Sequence, residues 1–314
     1  MMWRAAGWLL LAASGVAAAQ TYPAKSIRVV VPFPSGGPSD IVGRVVSQKL
    51  SEAWGQPVIV DNRPGYQSAE LVARAQPDGY TLLVATTNFF YAPLLQQSIG
   101  YEPVRDFMPV AELVRAPGML VVSPTLPVNT VAELVALAKS KPGVYNYASA
   151  QTGGSGHLTT EQFKALAGID LVRVSYKSTS LAFPDLMSGQ VHVMFENLPA
   201  VMPHVKAGRL KALAVTSAQP TPLAPGLPTV AATVPGFEAS SMITLLAPIK
   251  TPRTLVTRLN QETVRIVNQP DVKEKLFGSA AVQLNSTPEE LAVWMKAEIA
   301  KMAKVIKNAG IRVE

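Results

Sequence analysis

Ile27-Arg28-Val29-Val30-Val31-Pro32-Phe33-Pro34-Ser35-Gly36-Gly37-Pro38-Ser39-Asp40 reads as a strand, a tight turn and the start of a helix. The β-branched run of residues 27–32 has the make-up of a buried strand, closed by Pro and a Gly pair. Beyond it Ile41, Val42, Val45, Val46, Leu50 and Ala53 recur at three- and four-residue spacing. That spacing predicts an amphipathic helix, with Ser39 as its cap. The same alternation repeats outward. Strands are expected at residues 58–60, 81–85, 191–195, 210–215 and 243–247. Helices are expected after Thr130-Val131-Ala132-Glu133, which has the form of a capping box, after Thr251-Pro252, and after Thr287-Pro288-Glu289-Glu290. In the last helix Leu291, Trp294, Met295, Ile299, Met302 and Val305 form the side to be buried. Strands alternating with helices predict an α/β fold with mainly parallel sheets flanked by helices.

Two Pro-rich stretches poor in regular pattern, residues 117–127 and 220–235, set a middle segment apart from both chain ends. The reading is an outer domain of residues 20–122 plus 236–314, with residues 123–235 inserted as a second domain. Two chain crossings would then act as a hinge beside a ligand cleft.

Composition removes whole classes of chemistry. The 314 residues contain no Cys and three His, which excludes a thiol nucleophile, a disulfide framework and a Cys-based metal site. No cofactor and no metal is implied. Lys and Arg outnumber Asp and Glu by 28 to 21, but they are scattered singly, so nucleic acid is not the expected partner. Residues 1–19 have the form of an export signal: Arg4, an apolar run from Ala5 to Val16, and an Ala-x-Ala site at Ala17–Ala19. The mature protein is expected to be exported, periplasmic, soluble and monomeric.

Four polar turns follow predicted strands. The first, around Ser35-Gly36-Gly37, lets backbone amides approach an anion, although a plain strand-to-helix turn needs the same residues. It lacks the spacing of dinucleotide or P-loop fingerprints. The second is Tyr147-Ala148-Ser149-Ala150-Gln151-Thr152-Gly153-Gly154-Ser155-Gly156-His157, rich in hydroxyls and amides. Ser155 with His157 raises a serine hydrolase as an alternative, but a nucleophile elbow needs Gly at position 157. Tyr176-Lys177-Ser178-Thr179-Ser180 and Glu196-Asn197 are the third and fourth. Thr87-Asn88-Phe89-Phe90-Tyr91 follows another strand, and its rings could pack in the core or line an apolar pocket.

These turns, taken in order, resemble the periplasmic solute receptors of tripartite tricarboxylate transporters, the Bug family. The similarity spans the chain after the export signal. It runs through Tyr22-Pro23-Ala24-Lys25-Ser26-Ile27-Arg28, Gly36-Gly37, Asp40, Gly55-Gln56-Pro57-Val58 and Asn62-Arg63-Pro64-Gly65. It continues through Pro77-Asp78-Gly79-Tyr80, Asn146-Tyr147-Ala148-Ser149, Tyr176-Lys177, Leu213-Ala214-Val215-Thr216-Ser217 and Leu227-Pro228-Thr229-Val230.

The resemblance implies a two-domain periplasmic binding protein of the Venus flytrap type, no enzymatic activity, a small carboxylate as ligand and integral membrane permease subunits as partners. Carried onto this sequence, the expected contacts are Ser35, Gly36, Gly37, Ser39, Asp40, Thr87 and Asn88 from the outer domain. The inserted domain would add Ser149, Thr152, Gly153, Ser155, Tyr176, Lys177, Ser178 and Asn197. Two departures alter one wall. Tyr66 follows Gly65 where the family has a longer Gly-rich loop, and Ser178-Thr179 replaces a Gly pair. Tyr66, Phe89, Phe90 and Tyr91 then tilt the expected ligand towards an aromatic or bulkier carboxylate. A receptor that docks on a sensor protein is the alternative to delivery.

Overall fold

Four β-branched positions around Arg28, with no internal breaker, make the first strand, and the turn residues after it release the chain into a helix. The computed structural model describes residues 22–96, 98–277 and 284–312. The expected export signal lies outside them. In chain order the first elements are β1 (Ile27–Val31), α1 (Pro38–Trp54), β2 (Val58–Asn62), α2 (Gln67–Ala73), β3 (Thr81–Thr86), α3 (Thr87–Leu95), α4 (Pro103–Asp106) and β4 (Phe107–Val122). Next come α5 (Val131–Ser140), β5 (Asn146–Ser149), α6 (Ser155–Ala167), β6 (Val172–Ser175), α7 (Thr179–Ser188), β7 (Val193–Asn197), α8 (Leu198–Lys206) and β8 (Lys211–Val215). The chain ends with β9 (Ser240–Pro248), α9 (Arg253–Val267), α10 (Pro270–Phe277) and α11 (Pro288–Asn308).

The strands lie in the order β2-β1-β3-β9-β4-β7-β5-β6, with β8 also on β4. Pairing is parallel for β1 with β2 and β3, and for β5 with β6 and β7. It is antiparallel wherever β4 or β9 takes part. The sheet is therefore mixed, not mainly parallel: β9 returns from the second half of the molecule and so runs against β3.

Residues 117–122 correct the reading of that stretch as irregular. They continue β4, whose partner changes from β9 at Pro117 to β7 at Gly118, so the strand order divides there into a first sheet (β2-β1-β3-β9 with β4 up to Pro117) and a second (β4 from Gly118 with β8, β7, β5 and β6). Pro117 is tolerated there because it sits where the ladder exchanges partners. Two helix starts also differ by a residue or two. Gly37, not Ser39, is the N-cap of α1, and Pro252, not Thr251, that of α9. Ser39 lies inside the first turn and is buried. The capping box at Thr287 and Glu290 forms in full, whereas Glu133 reaches past Thr130 to the Asn129 amide.

α1 and α9 cover one face of the first sheet with Val42, Val46, Leu50, Val256, Leu259 and Ile266. Ile41 and Ala53 of the predicted stripe face solvent instead. α2, α3 and α11 cover the other face. α5 and α6 cover one face of the second sheet, α7 and α8 the other. Leu158 of α6 leaves its own sheet and joins the cluster of α3 and α11.

Thr216 ties the crossing segments together. Its hydroxyl accepts from the Gly118 amide at 2.6 Å and donates to the Ala239 carbonyl at 2.6 Å. The residue is 1% exposed. Thr216→Val keeps the shape and strands both backbone groups. We expect it to cost about 1–3 kcal/mol in urea unfolding. A loss under about 0.5 kcal/mol, the level of a neutral surface change, would mean this bond pair does not hold the crossing.

Candidate functional site

The turn after β1 is organised by Asp40. Gly36 takes φ +88°, a conformation that favours glycine, and this turns its amide back to Asp40 Oδ2 at 2.8 Å. Ser35 Oγ and Arg44 Nε donate to the same oxygen, and Asn62 Nδ2 donates to Oδ1 at 2.8 Å. Asp40 is 2% exposed. Burial pushes its pKa up, but the bonds from Arg44, Gly36 and Asn62 outweigh burial and hold it well below the usual carboxylate range. Asp40 is thus a brace for the turn, with its oxygens already bonded. Gly37, at the N-terminus of α1, could carry a Cβ with only an ordinary contact, 3.7 Å, to the Pro34 carbonyl oxygen.

Arg173 of β6 does the same for the turn after β5. Its guanidinium donates to Ser149 Oγ at 2.7 Å, Thr152 Oγ1 at 2.9 Å and the Ala150 carbonyl at 2.8 Å. Gly153 takes φ +73°, and its amide donates to His157 Nδ1 at 3.0 Å. A side chain on Gly153 would collide with Leu95 of α3, so this turn touches the first sheet's helices directly. Burial, then the nearby Arg173, lowers the His157 pKa to about 4. His157 is therefore neutral with its proton on Nε2, its Nδ1 being an acceptor. Its ring stacks on Tyr147. With Nδ1 engaged by Gly153 and the ring buried, His157 has the surroundings of a structural histidine, not of a base serving Ser155.

The third turn is less enclosed. Tyr176 Oη donates to Asp185 at 2.7 Å, and burial together with that carboxylate raises its pKa to about 12. Lys177 is exposed. Ser178 is the N-cap of α7 and bonds Ser180. In the fourth turn Asn197 accepts from Ser241 Oγ at 2.8 Å, a bond between β7 and β9.

A narrow cleft opens at the carboxyl ends of β3 and β7, between α3, α6 and α11. Thr87, Ser155 and Asn197 line it together; the other expected contacts do not. Thr87 Oγ1 also accepts from the Met242 amide at 2.8 Å, which fixes the start of α3 to β9. Asn88, beside it, has a buried Oδ1 without a partner. The aromatic reading loses its basis for Phe89 and Phe90, which are core residues: Phe89 stacks on Tyr101 at 4.5 Å, and Phe90 packs edge-on to Trp294. Tyr66 leans on Tyr101, and Tyr91 reaches the cleft only beside its bond to Glu298. Arg44, Asn62 and Arg173 were not among the expected site residues. Arg173 had a signal, as a lone charge within Leu171-Val172-Arg173-Val174; the placement of Arg44 and Asn62 depends on tertiary packing.

Among the described residues no cluster fit for a metal ion occurs, and no helix is long and apolar enough to cross a membrane.

Comparison with known proteins follows the same lines. Residues 42–311 match the family described as tripartite tricarboxylate transporter family receptor. Protein BugT of Bordetella pertussis is 33% identical over 318 residues, covering 98% of this chain and 97% of its own. The solved structure of R. palustris Rpa4515 with adipate is 38% identical with a TM-score of 0.73, covering 93% of this chain and 99% of its own. MatC from Rhodopseudomonas palustris with bound malate is 30% identical with a TM-score of 0.69, covering 91% and 100%. The fold is that of periplasmic binding proteins.

The His157 environment sets a pH dependence. The folded pKa, about 4, lies below the ordinary 6.5, so between these values the unfolded chain takes a proton that the folded one refuses. The full contribution is present above pH 6.5 and is lost as pH falls towards 4. Its slope is at most about 1.4 kcal/mol per pH unit. His157→Gln should flatten the pH profile of urea unfolding across that window; an unchanged slope would put the titration elsewhere.

Proposed function

This chain belongs to the tripartite tricarboxylate transporter receptor family, and from that premise we propose that it captures a small carboxylate in the cleft and delivers it to the membrane subunits of such a transporter. The export signal over residues 1–19 would place it in the periplasm, acting as a monomer. Residues 20–122 with 236–314 form the outer lobe in this reading, and residues 123–235 the inserted one.

The observation that carries the reading is the pair of braced turns. Each follows a parallel strand, opens a helix at glycine, and is tied from behind by an engaged charged side chain, Asp40 in one case and Arg173 in the other. Amides at helix starts then meet the ligand's carboxylate without a full countercharge being buried beside it. Ser35, Gly37, Ser149 and Thr152 are the groups proposed to meet the ligand, while Gly36, Ser39 and Gly153 shape the two turns that present them. Thr87, Ser155 and Asn197 line the cleft, and Asn88, Tyr66, Tyr176, Lys177 and Ser178 are proposed as further contacts. The adipate and malate held by the two R. palustris proteins support an aliphatic di-acid over an aromatic one. Closure follows if the acid touches both lobes, since only differential affinity shifts a two-state equilibrium.

A thermal-shift series with succinate, malate, adipate, citrate and benzoate tests the reading. An acid at 100 times its dissociation constant should add about 2.7 kcal/mol of stability. Gly37→Glu puts bulk and like charge at the start of α1, in a position where the backbone accepts a side chain, and should abolish the response while leaving the ligand-free melting temperature within a few degrees. A response retained in Gly37→Glu would move the site away from this turn.

A further inference from the structure

The second braced turn rests on the first sheet's helices through one side chain. Leu95, the last residue of α3, is seated on the bare Cα of Gly153. A Cβ added to Gly153 would lie 2.5 Å from Leu95 Cδ1, 3.2 Å from Cδ2 and 3.3 Å from Cγ. The end of the leucine thus takes the place a side chain would need. A left-handed turn does not by itself bring such a neighbour. Gly36, at φ +88°, has nothing within 4 Å of the same point.

The contact sits where the turn is already held from behind. Gly153 is buried with its amide on His157 Nδ1, and Thr152 is bonded by Arg173. Leu158, in the first turns of α6, is 1% exposed and packs with α3 and α11. In the two-lobe reading α3 and α11 belong to the outer lobe, and the turn with α6 to the inserted one. The contacts of Gly153 and Leu158 then both cross between lobes. Among the described residues no side-chain hydrogen bond or ion pair joins residues 149–158 to the outer lobe. A purely apolar contact has no directional bond to break, so the two surfaces can part and rejoin without stranding a polar group.

We propose that Leu95 is a positioning residue for ligand capture: seated on Gly153, it holds the second turn in the arrangement that binds the carboxylate, and the contact forms as the lobes close. Leu95 does not line the cleft, so it acts through Gly153 and not on the ligand. Burial of its methyl groups favours the closed form, and apparent affinity scales with the fraction of molecules in that form. The inference rests on the carboxylate reading above and on its two lobes.

Calorimetric titration of Leu95→Ala with succinate, malate, adipate, citrate and benzoate tests it, with the ligand-free melting temperature measured alongside. An acid that binds the parent protein should bind Leu95→Ala about fivefold or more weakly. Leu95→Met, which keeps the volume, should restore most of that loss. Leu94→Ala is the control. Leu94 lines the same groove and packs on the same cluster as Leu95, yet the three atoms nearest the Gly153 position all belong to Leu95. Its removal should leave affinity within about twofold. A Leu95→Ala protein that melts lower but binds as the parent does would make Leu95 a packing residue and overturn the proposal, with the carboxylate receptor standing. An equal loss of affinity in Leu94→Ala would overturn it too. If none of the acids binds the parent protein, the carboxylate reading fails and takes this inference with it.

Discussion

β4 and β9 pair antiparallel from Phe107 with Pro248 to Pro117 with Ser240, and both leave that ladder at the same level. The two sheets are therefore linked covalently by adjacent segments, one entering β4's second half and one returning from Thr216 through Ala239. Thr216 bonds both crossings, so in the two-lobe reading the lobes would share a pivot at this level, and turns at the carboxyl ends of β1, β3, β5, β6 and β7 would face one cleft.

The two braced turns solve one electrostatic problem in opposite ways. At the first turn a buried carboxylate gathers donors from behind, and at the second a guanidinium gathers acceptors. Asp40 pulls the Gly36 amide back, while Arg173 fixes the hydroxyls of Ser149 and Thr152 and the carbonyl of Ala150. The charge is used to set backbone geometry, and a carboxylate arriving in front would meet dipoles already in place. Such preorganisation lowers the ordering cost of binding without the desolvation cost of a buried ion pair.

Much of this was legible in the sequence where local rules suffice. The β1 valine run, the Thr287 capping box and the strand-turn-helix alternation each follow from a short window. The failures have a common cause. Pro117 lies within a strand because that strand changes partners there, which is a tertiary event. Phe89 and Phe90 look like pocket linings beside Thr87 and Asn88, yet a helix starting at Thr87 turns both rings into the cluster with Tyr101 and Trp294. The resemblance carries Asp40 over as a ligand contact; only the folded position of Asn62, 22 residues on, shows that its oxygens are taken.

The same distinction governs the cleft floor. Glu196 is adjacent in sequence to Asn197 and looks like one more polar turn, but its meaning depends on what faces it. Tyr91 and Lys301 satisfy Glu298, whereas Glu196 takes the Asn197 amide and the Thr179 hydroxyl and, among the described residues, no cation.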